Sequence, residues 1–351
     1  PRWYRRRQRQ MCIRDSSYSR HDGTRPLREA LADNYRRRAG FDVDPETNVV
    51  VSAGATGALY CACLALLEPG DEVILFEPYY SYHESTLIAT EAKPVFVPTH
   101  APDWTFSMDE LERVVTNRTR AIIVNTPSNP SGKVWTRAEL ELIADFSKRH
   151  DLFVFTDEIY EHFIFDDLEH VFAASLPGMW ERTITISGLS KTFSITGWRL
   201  GYAICDAKWA GAIGNFSDLV YVCAPTPLQM GAAAGVAGLD DEFFEKLAAK
   251  YRAKRERLCA ALDDVGLKPH VPQGAYYVLA DVSILPGQDS KERAMYLLDK
   301  TGVASVPGQS FFKGPEGETI VRFCFAKEDD VIEDACRRLM ALKTGDAQAA
   351  G

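Results

Sequence analysis

Four short polar segments carry side chains able to do chemistry: Gly54-Ala55-Thr56-Gly57, Asn125-Thr126-Pro127-Ser128-Asn129-Pro130, Thr156-Asp157-Glu158-Ile159-Tyr160 and Ser187-Gly188-Leu189-Ser190-Lys191. The first joins a β-branched run to an apolar stretch at helical spacing. Backbone N–H groups at such a turn, with a helix dipole behind them, make an anion site, and Thr56 adds a hydroxyl. The segment is neither GxGxxG nor GxxxxGK, which disfavours a dinucleotide or a P-loop; a tight turn without a ligand is the plain alternative. Asp157 ends an almost wholly apolar strand, where a carboxylate is costly unless partnered. It is either a helix N-cap or the partner of a buried cation, and Tyr160, a turn later, can face the same ligand. Lys191 is either solvated or, if desolvated, a nucleophile of depressed pKa. Arg199, within Thr-Gly-Trp-Arg-Leu-Gly-Tyr, suits a phosphate unless a structural salt bridge claims it.

From Asn48 onward strands and helices alternate. Strands are predicted at Asn48–Ser52, Glu72–Phe76, Val95–Val97, Ala121–Asn125, Leu152–Thr156, Thr183–Ser187 and Leu200–Cys205. Helices are predicted at Thr56–Leu67, Ser81–Glu91, Met108–Val115 behind a Ser107–Glu110 capping box, and from a second box, Thr136–Glu139, to His150. This order argues an α/β fold with a mostly parallel sheet covered by helices on both faces. After Gly238 the pattern changes. A long charged helix at Asp240–Val265, strands at Ala275–Val282, Ala304–Val306 and Ile320–Phe325, and helices at Ser290–Lys300 and Asp329–Lys343 read as a smaller α+β domain. The division expected is 16–239 large, 240–343 small, with 344–351 a frayed end.

In parallel α/β sheets ligands sit beyond the carboxyl ends of the strands, and all four polar segments lie there. Together they offer a phosphate cradle, an arginine, a carboxylate, a phenol, an amide and a lysine. Pyridoxal phosphate requires each of these: an anion site for its phosphate, a carboxylate for its ring nitrogen, donors for its 3′-oxygen and a lysine for its aldehyde.

The segments AGATGAL, NTPSNPSGK, TDEIYEHF, SGLSKTFSITGWRLGY and VRFCFA, in this combination and order, resemble the class I/II, fold-type I pyridoxal-phosphate aminotransferases over residues 17–343. The resemblance implies that Lys191 is the Schiff-base lysine and proton shuttle, that Asp157 pairs with the ring nitrogen, and that Asn129 and Tyr160 hold the 3′-oxygen. It assigns Gly54, Ala55, Thr56 and Arg199 to the phosphate, Tyr80 to stacking on the ring, and Arg322 to the substrate α-carboxylate. Gly188 stands where many members have serine, with Ser187 and Ser190 nearby; Ser190 is assigned to the cofactor. Tyr18 matches a tyrosine that reaches the partner subunit's phosphate, which implies a homodimer with shared sites. The implied reaction is ping-pong transfer of an amino group from an L-amino acid to a 2-oxo acid. Tyr79, Tyr80, Tyr82, Phe311, Phe312 and the VCAPTPLQ segment point to large neutral or aromatic amino acids, unless those aromatics are core. A cysteine-conjugate β-lyase would use the same cofactor residues, and a regulator would keep the fold as an effector-binding module.

The rest of the sequence narrows the field. The composition, 46% hydrophobic and 25% charged, is that of a folded globular chain. The longest apolar stretch, Gly57–Leu67, falls short of the ~18 residues of a spanning helix, so no membrane role is expected. The net charge of −9 disfavours nucleic acid, although residues 1–15 hold six arginines. That tail has no periodicity and no apolar signal core; it is expected to be non-native sequence joined to an N-terminally truncated family member. It is also too short for a helix-turn-helix, which weighs against the regulator. The eight cysteines form no CxxC pair and have no histidines at zinc spacing, so no metal is expected, and buried free thiols in a reducing cytoplasm are.

Overall fold

The computed structural model describes residues 17–345. Its larger sheet has seven strands: β1 (Val49–Ser52), β2 (Glu72–Glu77), β3 (Lys93–Pro98), β4 (Thr119–Asn125), β5 (Phe153–Asp157), β6 (Thr183–Gly188) and β7 (Gly201–Ile204), in the order β1-β7-β6-β5-β4-β2-β3. Only β7 runs against its neighbours β1 and β6; the remaining pairs are parallel. The carboxyl ends of β1, β4, β5 and β6 therefore share one edge with the start of β7. Register fixes who meets whom there: Asn125 pairs with Asp157, Asp157 with Ile186, Ser187 with Tyr202, and Ser52 with Gly201.

Alternation along the strands divides the core. Ile123, Phe155 and Ile186 pack on one face with the helix Gly54–Leu66 and the helix Ala207–Tyr221. Ile122, Val124 and Val154 pack on the other with the helix Arg137–Arg149. Farther along that second side, Tyr202 and Ile204 meet Leu31 and Tyr35 of the helix Arg25–Ala39 and Val236 of the helix Thr226–Gly238. A second, antiparallel sheet comprises β8 (Lys268–His270), β9 (Tyr277–Asp281), β10 (Val306–Pro307) and β11 (Ile320–Cys324), in the order β10-β11-β9-β8. It packs on the helices Asp241–Asp264 and Asp329–Leu339 through Leu258, Leu262, Ile332 and Leu339.

The structure departs from the sequence expectation in several places. The expected helix Asp329–Lys343 breaks at Met340, and strand β8 has no counterpart in the sequence reading because its three half-exposed residues, one of them proline, show no alternation. The helices Ala207–Tyr221 and Thr226–Gly238 carry Gly211, Gly214, Gly231, Gly235 and Gly238, whose low helix propensity hides them. The Thr136–Glu139 capping box forms as expected. The Ser107–Glu110 box does not: Ser107 makes no cap bond, and Glu110 is drawn instead to His100, 3.1 Å away. Among the described residues, no helix is long and apolar enough to cross a membrane, and the cysteines are free thiols, with Cys223 and Cys324 half-buried.

Candidate active site

A cavity of about 560 Å³ opens at the carboxyl edge of the large sheet. The large sheet supplies Ala55, Thr56, Asn129, Asp157, Tyr160, Ser190, Lys191 and Arg199; the small sheet supplies Tyr277 and Arg322. Thus most of the residues predicted from sequence converge. Gly54 backs the cavity wall, and Tyr80 lines it. Tyr18 is not among the residues lining it and is 82% exposed.

Asp157 is not a helix N-cap, because a turn follows it rather than a helix. Its Oδ2 lies 2.8 Å from Nε2 of His83, and its Oδ1 accepts from the Ile159 N–H at 3.3 Å. His83, only 3% exposed, was not legible in the sequence; it stands in the first turn of the helix Ser81–Ala89, far from Asp157 along the chain. Asn125, also overlooked, folds the next loop back. Its amide donates to the Asp157 carbonyl at 2.8 Å, and its Oδ1 accepts from the Asn129 N–H at 2.7 Å.

Asn129 in turn accepts from Nη1 of Arg322 at 2.8 Å, across the two sheets. The Arg322 guanidinium lies over the Tyr277 ring at 4.3 Å and the Phe311 ring at 4.9 Å, a cation–π sandwich that holds its plane. Its Nε is buried without a partner. The Tyr160 and Tyr277 hydroxyls are 3.2 Å apart, and burial pushes the Tyr160 hydroxyl well above its ordinary range. Lys191, half-buried, is held below the ordinary lysine range: burial lowers it, and the facing Asp157 carboxylate only partly offsets that.

The anion cradle is built by close approach. Gly54 has φ +80°, and a Cβ there would stand 2.4 Å from Nη2 of Arg199. Gly201, opposite Ser52, leaves room for the Ala55 N–H; a Cβ there would stand 2.3 Å from that nitrogen. Arg199 therefore presses on the N-terminal turn of a 13-residue helix, positive charge against the positive end of a dipole. Among the described residues it donates to the Thr196 carbonyl at 3.0 Å and faces no carboxylate. An anion between guanidinium and helix end resolves that repulsion. Ser190 lines the cavity, whereas the Ser187 hydroxyl is engaged by the Glu158 carbonyl and the Glu161 carboxylate, outside it.

Two aromatic expectations fail. Tyr79 and Phe312 are core residues, packed against Phe96 and Trp104; Tyr80, Tyr82 and Phe311 do line the cavity. The VCAPTPLQ segment contributes nothing to the lining, and its Gln229 accepts from the Thr24 N–H at 2.7 Å instead.

The family model for aminotransferase class I and II matches residues 1–339. The chain belongs to that family. It is 38% identical over 339 residues to a probable N-succinyldiaminopimelate aminotransferase of Mycobacterium tuberculosis, covering 93% of this chain and 85% of that one. It is 36% identical to kynurenine–oxoglutarate transaminase 3 of Rattus norvegicus, covering 91% and 77%. Among solved structures, the aromatic aminotransferase of Pyrococcus horikoshii superposes with a TM-score of 0.88 at 36% identity, covering 95% of this chain and 88% of that one. The protein is thus an aminotransferase, of a family whose members depend on pyridoxal phosphate. The residues present fit that group: an anion cradle whose arginine lacks a counter-charge, a lysine whose pKa is lowered, and a carboxylate–imidazole pair lining the same cavity.

Proposed function

We propose that this aminotransferase moves the amino group of an L-amino acid to a 2-oxo acid in the cavity described, with Lys191 as the attaching amine. The observation that carries the reading is Lys191 itself, a half-buried amine held below its ordinary range and facing Asp157. Lowering that pKa enlarges the neutral fraction, the form that attacks a carbonyl. Gly54, Ala55, Thr56, Ser190 and Arg199 would hold the phosphate of the cofactor. Bound there, pyridoxal phosphate would supply an aldehyde for amines and a protonated ring that draws electrons from the neighbouring carbon.

Each remaining residue has work at a stated atom. Asp157, fixed by His83, would keep a proton on the ring nitrogen. Tyr160 and the Asn129 amide would donate to the 3′-oxygen, and Tyr80 would cover the ring. Arg322 offers its unpartnered Nε to the substrate α-carboxylate while Asn129 steadies its Nη1. Lys191, as a free amine, would take the proton from the substrate Cα. The first oxo acid leaves before the second enters, giving ping-pong order. Tyr18 serves the site of a partner subunit in a homodimer.

The substrate class is large neutral or aromatic amino acids. Among the described residues, Lys191, Arg199 and Arg322 are the lysines and arginines lining the cavity, and each is already assigned, so none remains for a side-chain carboxylate. Tyr80 and Tyr82, stacked at 5.1 Å, and Phe311 offer apolar surface instead. Relatives named for kynurenine and aromatic amino acids accord with this.

Borohydride treatment of the protein loaded with pyridoxal phosphate is expected to label Lys191, and Lys191→Ala to abolish transamination while the fold persists. Labelling of a different lysine would overturn the assignment. Initial rates with phenylalanine and aspartate at several 2-oxoglutarate concentrations should favour phenylalanine and give parallel double-reciprocal lines.

A further inference from the structure

The buried carboxylate of Glu161 has no part in this chemistry, and its partners lie outside the cavity. Ile186 faces the cavity, so its neighbour Ser187 faces the other side of the sheet, in register with Tyr202. There Glu161 Oε1 accepts from the Ser187 hydroxyl at 3.3 Å and from the Tyr202 hydroxyl at 3.2 Å. Its Oε2 accepts from Arg38, in the last turn of the helix Arg25–Ala39. Glu161 is 5% exposed, a position where a charge persists only with partners. Burial pushes its carboxyl up, but Arg38, His162 and His170 outweigh that and hold it at about 2.

The donors flank the residues of the site. Tyr160 immediately precedes Glu161, Ser187 leads into the loop ending at Lys191, and Tyr202 follows Arg199 into β7. The Ser187 hydroxyl shares its single proton with the Glu158 carbonyl, also at 3.3 Å, and the Glu158 N–H donates to the Ile186 carbonyl at 2.8 Å, so the turn after β5 and the end of β6 are joined twice. We infer that Glu161 is a positioning residue: from the reverse face of the sheet it holds the Tyr160 turn, the Lys191 loop and the start of β7 in one arrangement, with Arg38 as its counter-charge. The inference rests on the roles proposed for Tyr160, Lys191 and Arg199.

A structural ion pair alone would affect only the folded fraction, and that difference can be measured on the full chain. Glu161→Ala is expected to lower kcat about 10²-fold with little change in KM, the scale of a small misplacement of reacting groups. It should also shift the pH midpoint of the visible band of lysine-bound pyridoxal phosphate. The double variant Arg38→Gln, Glu161→Gln removes both charges but keeps an acceptor for Ser187 and Tyr202, and should recover most of the rate. Hydrogen exchange over residues 156–163 and 187–197 should accelerate in Glu161→Ala and not in the double variant, with the helix Arg137–Arg149 unchanged. Activity that tracks the folded fraction, with band and exchange as in the wild type, would overturn the proposal. So would a double variant as impaired as Glu161→Ala. The exchange arm is run without added cofactor as well; a wild-type protein that gave no lysine-bound band would count against the cofactor reading alone, while exchange still decides the role of Glu161.

Discussion

At the scale of single residues, the site pairs an amine whose pKa burial lowers with a carboxylate that an imidazole keeps in place. Asp157→Asn retains the shape of the pair but not the charge proposed to hold a proton on the ring nitrogen. It should therefore cut kcat by about 10²–10³-fold, the cost of removing one electrostatic stabiliser, while the Arg199 cradle retains the cofactor. Loss of cofactor with normal turnover on resupply would refute that role. Lys191 also makes a stability prediction. Its folded pKa lies below its unfolded value of roughly 10.4, so its burial costs stability at neutral pH, and the cost fades as pH rises towards that value. In cofactor-free protein, Lys191→Met should raise Tm at pH 7, by a margin that shrinks by pH 10. Asp157 was legible in the sequence because a carboxylate at the end of an apolar strand is costly without a partner, whereas Lys191, on the loop after β6, was given its role by the family resemblance. His83 was not, because nothing in a helix begun by Ser81 announces a partner on another strand.

Between residues and the whole lie the elements that meet at the cradle. Strand β7 runs against its neighbours, so its first residue, Gly201, abuts the start of the helix Gly54–Leu66. A Cβ at Gly201 would meet main-chain atoms of Gly54 and Ala55 at 2.3 Å, and main chain cannot turn aside. Gly201→Ala should therefore cost about 1–3 kcal/mol in denaturant unfolding and weaken retention of pyridoxal phosphate on dialysis. The turn after β5 adds a pH response. His162 stacks on Phe244 at 4.0 Å between rings, and burial, with help from Arg38, lowers its pKa to about 3. The unfolded chain binds that proton below roughly pH 6.5. Stability should thus fall as pH drops from there towards 3, and His162→Phe should reduce that slope by up to about 1.4 kcal/mol per unit. An unchanged acid limb in urea titrations of the variant would refute it. These contacts are long-range, and no local pattern encodes them. The strands that deliver Asn125 and Asp157 were readable because each is an uninterrupted apolar run ending in polar residues, and the strand before Lys191 because it is a β-branched run of alternating threonine and isoleucine.

At the scale of the molecule, the two-sheet organisation follows from the switch in pattern after Gly238, but the meeting of the sheets at Asn129 and Arg322 is visible only in three dimensions. Some exposed apolar side chains remain to be explained. Tyr18, Leu219 and Met230 present large apolar side chains to solvent, with Tyr18 and Leu219 82% and 80% exposed. Such exposure is expected where a second copy covers it. If Tyr18 completes the phosphate site of a partner, Tyr18→Phe removes a hydrogen bond to a charged group and should weaken pyridoxal phosphate binding by about 10- to 100-fold. Mixing separates this from an effect within one chain. Tyr18→Phe subunits retain Lys191, and Lys191→Ala subunits retain Tyr18. In a mixed dimer the site carrying Lys191 receives the intact tyrosine of the other subunit. Binding curves of the mixture should then acquire a second, tight phase, and activity at low cofactor should exceed that of either variant. A mixture that behaves as the sum of its parts would place Tyr18 in the service of its own chain.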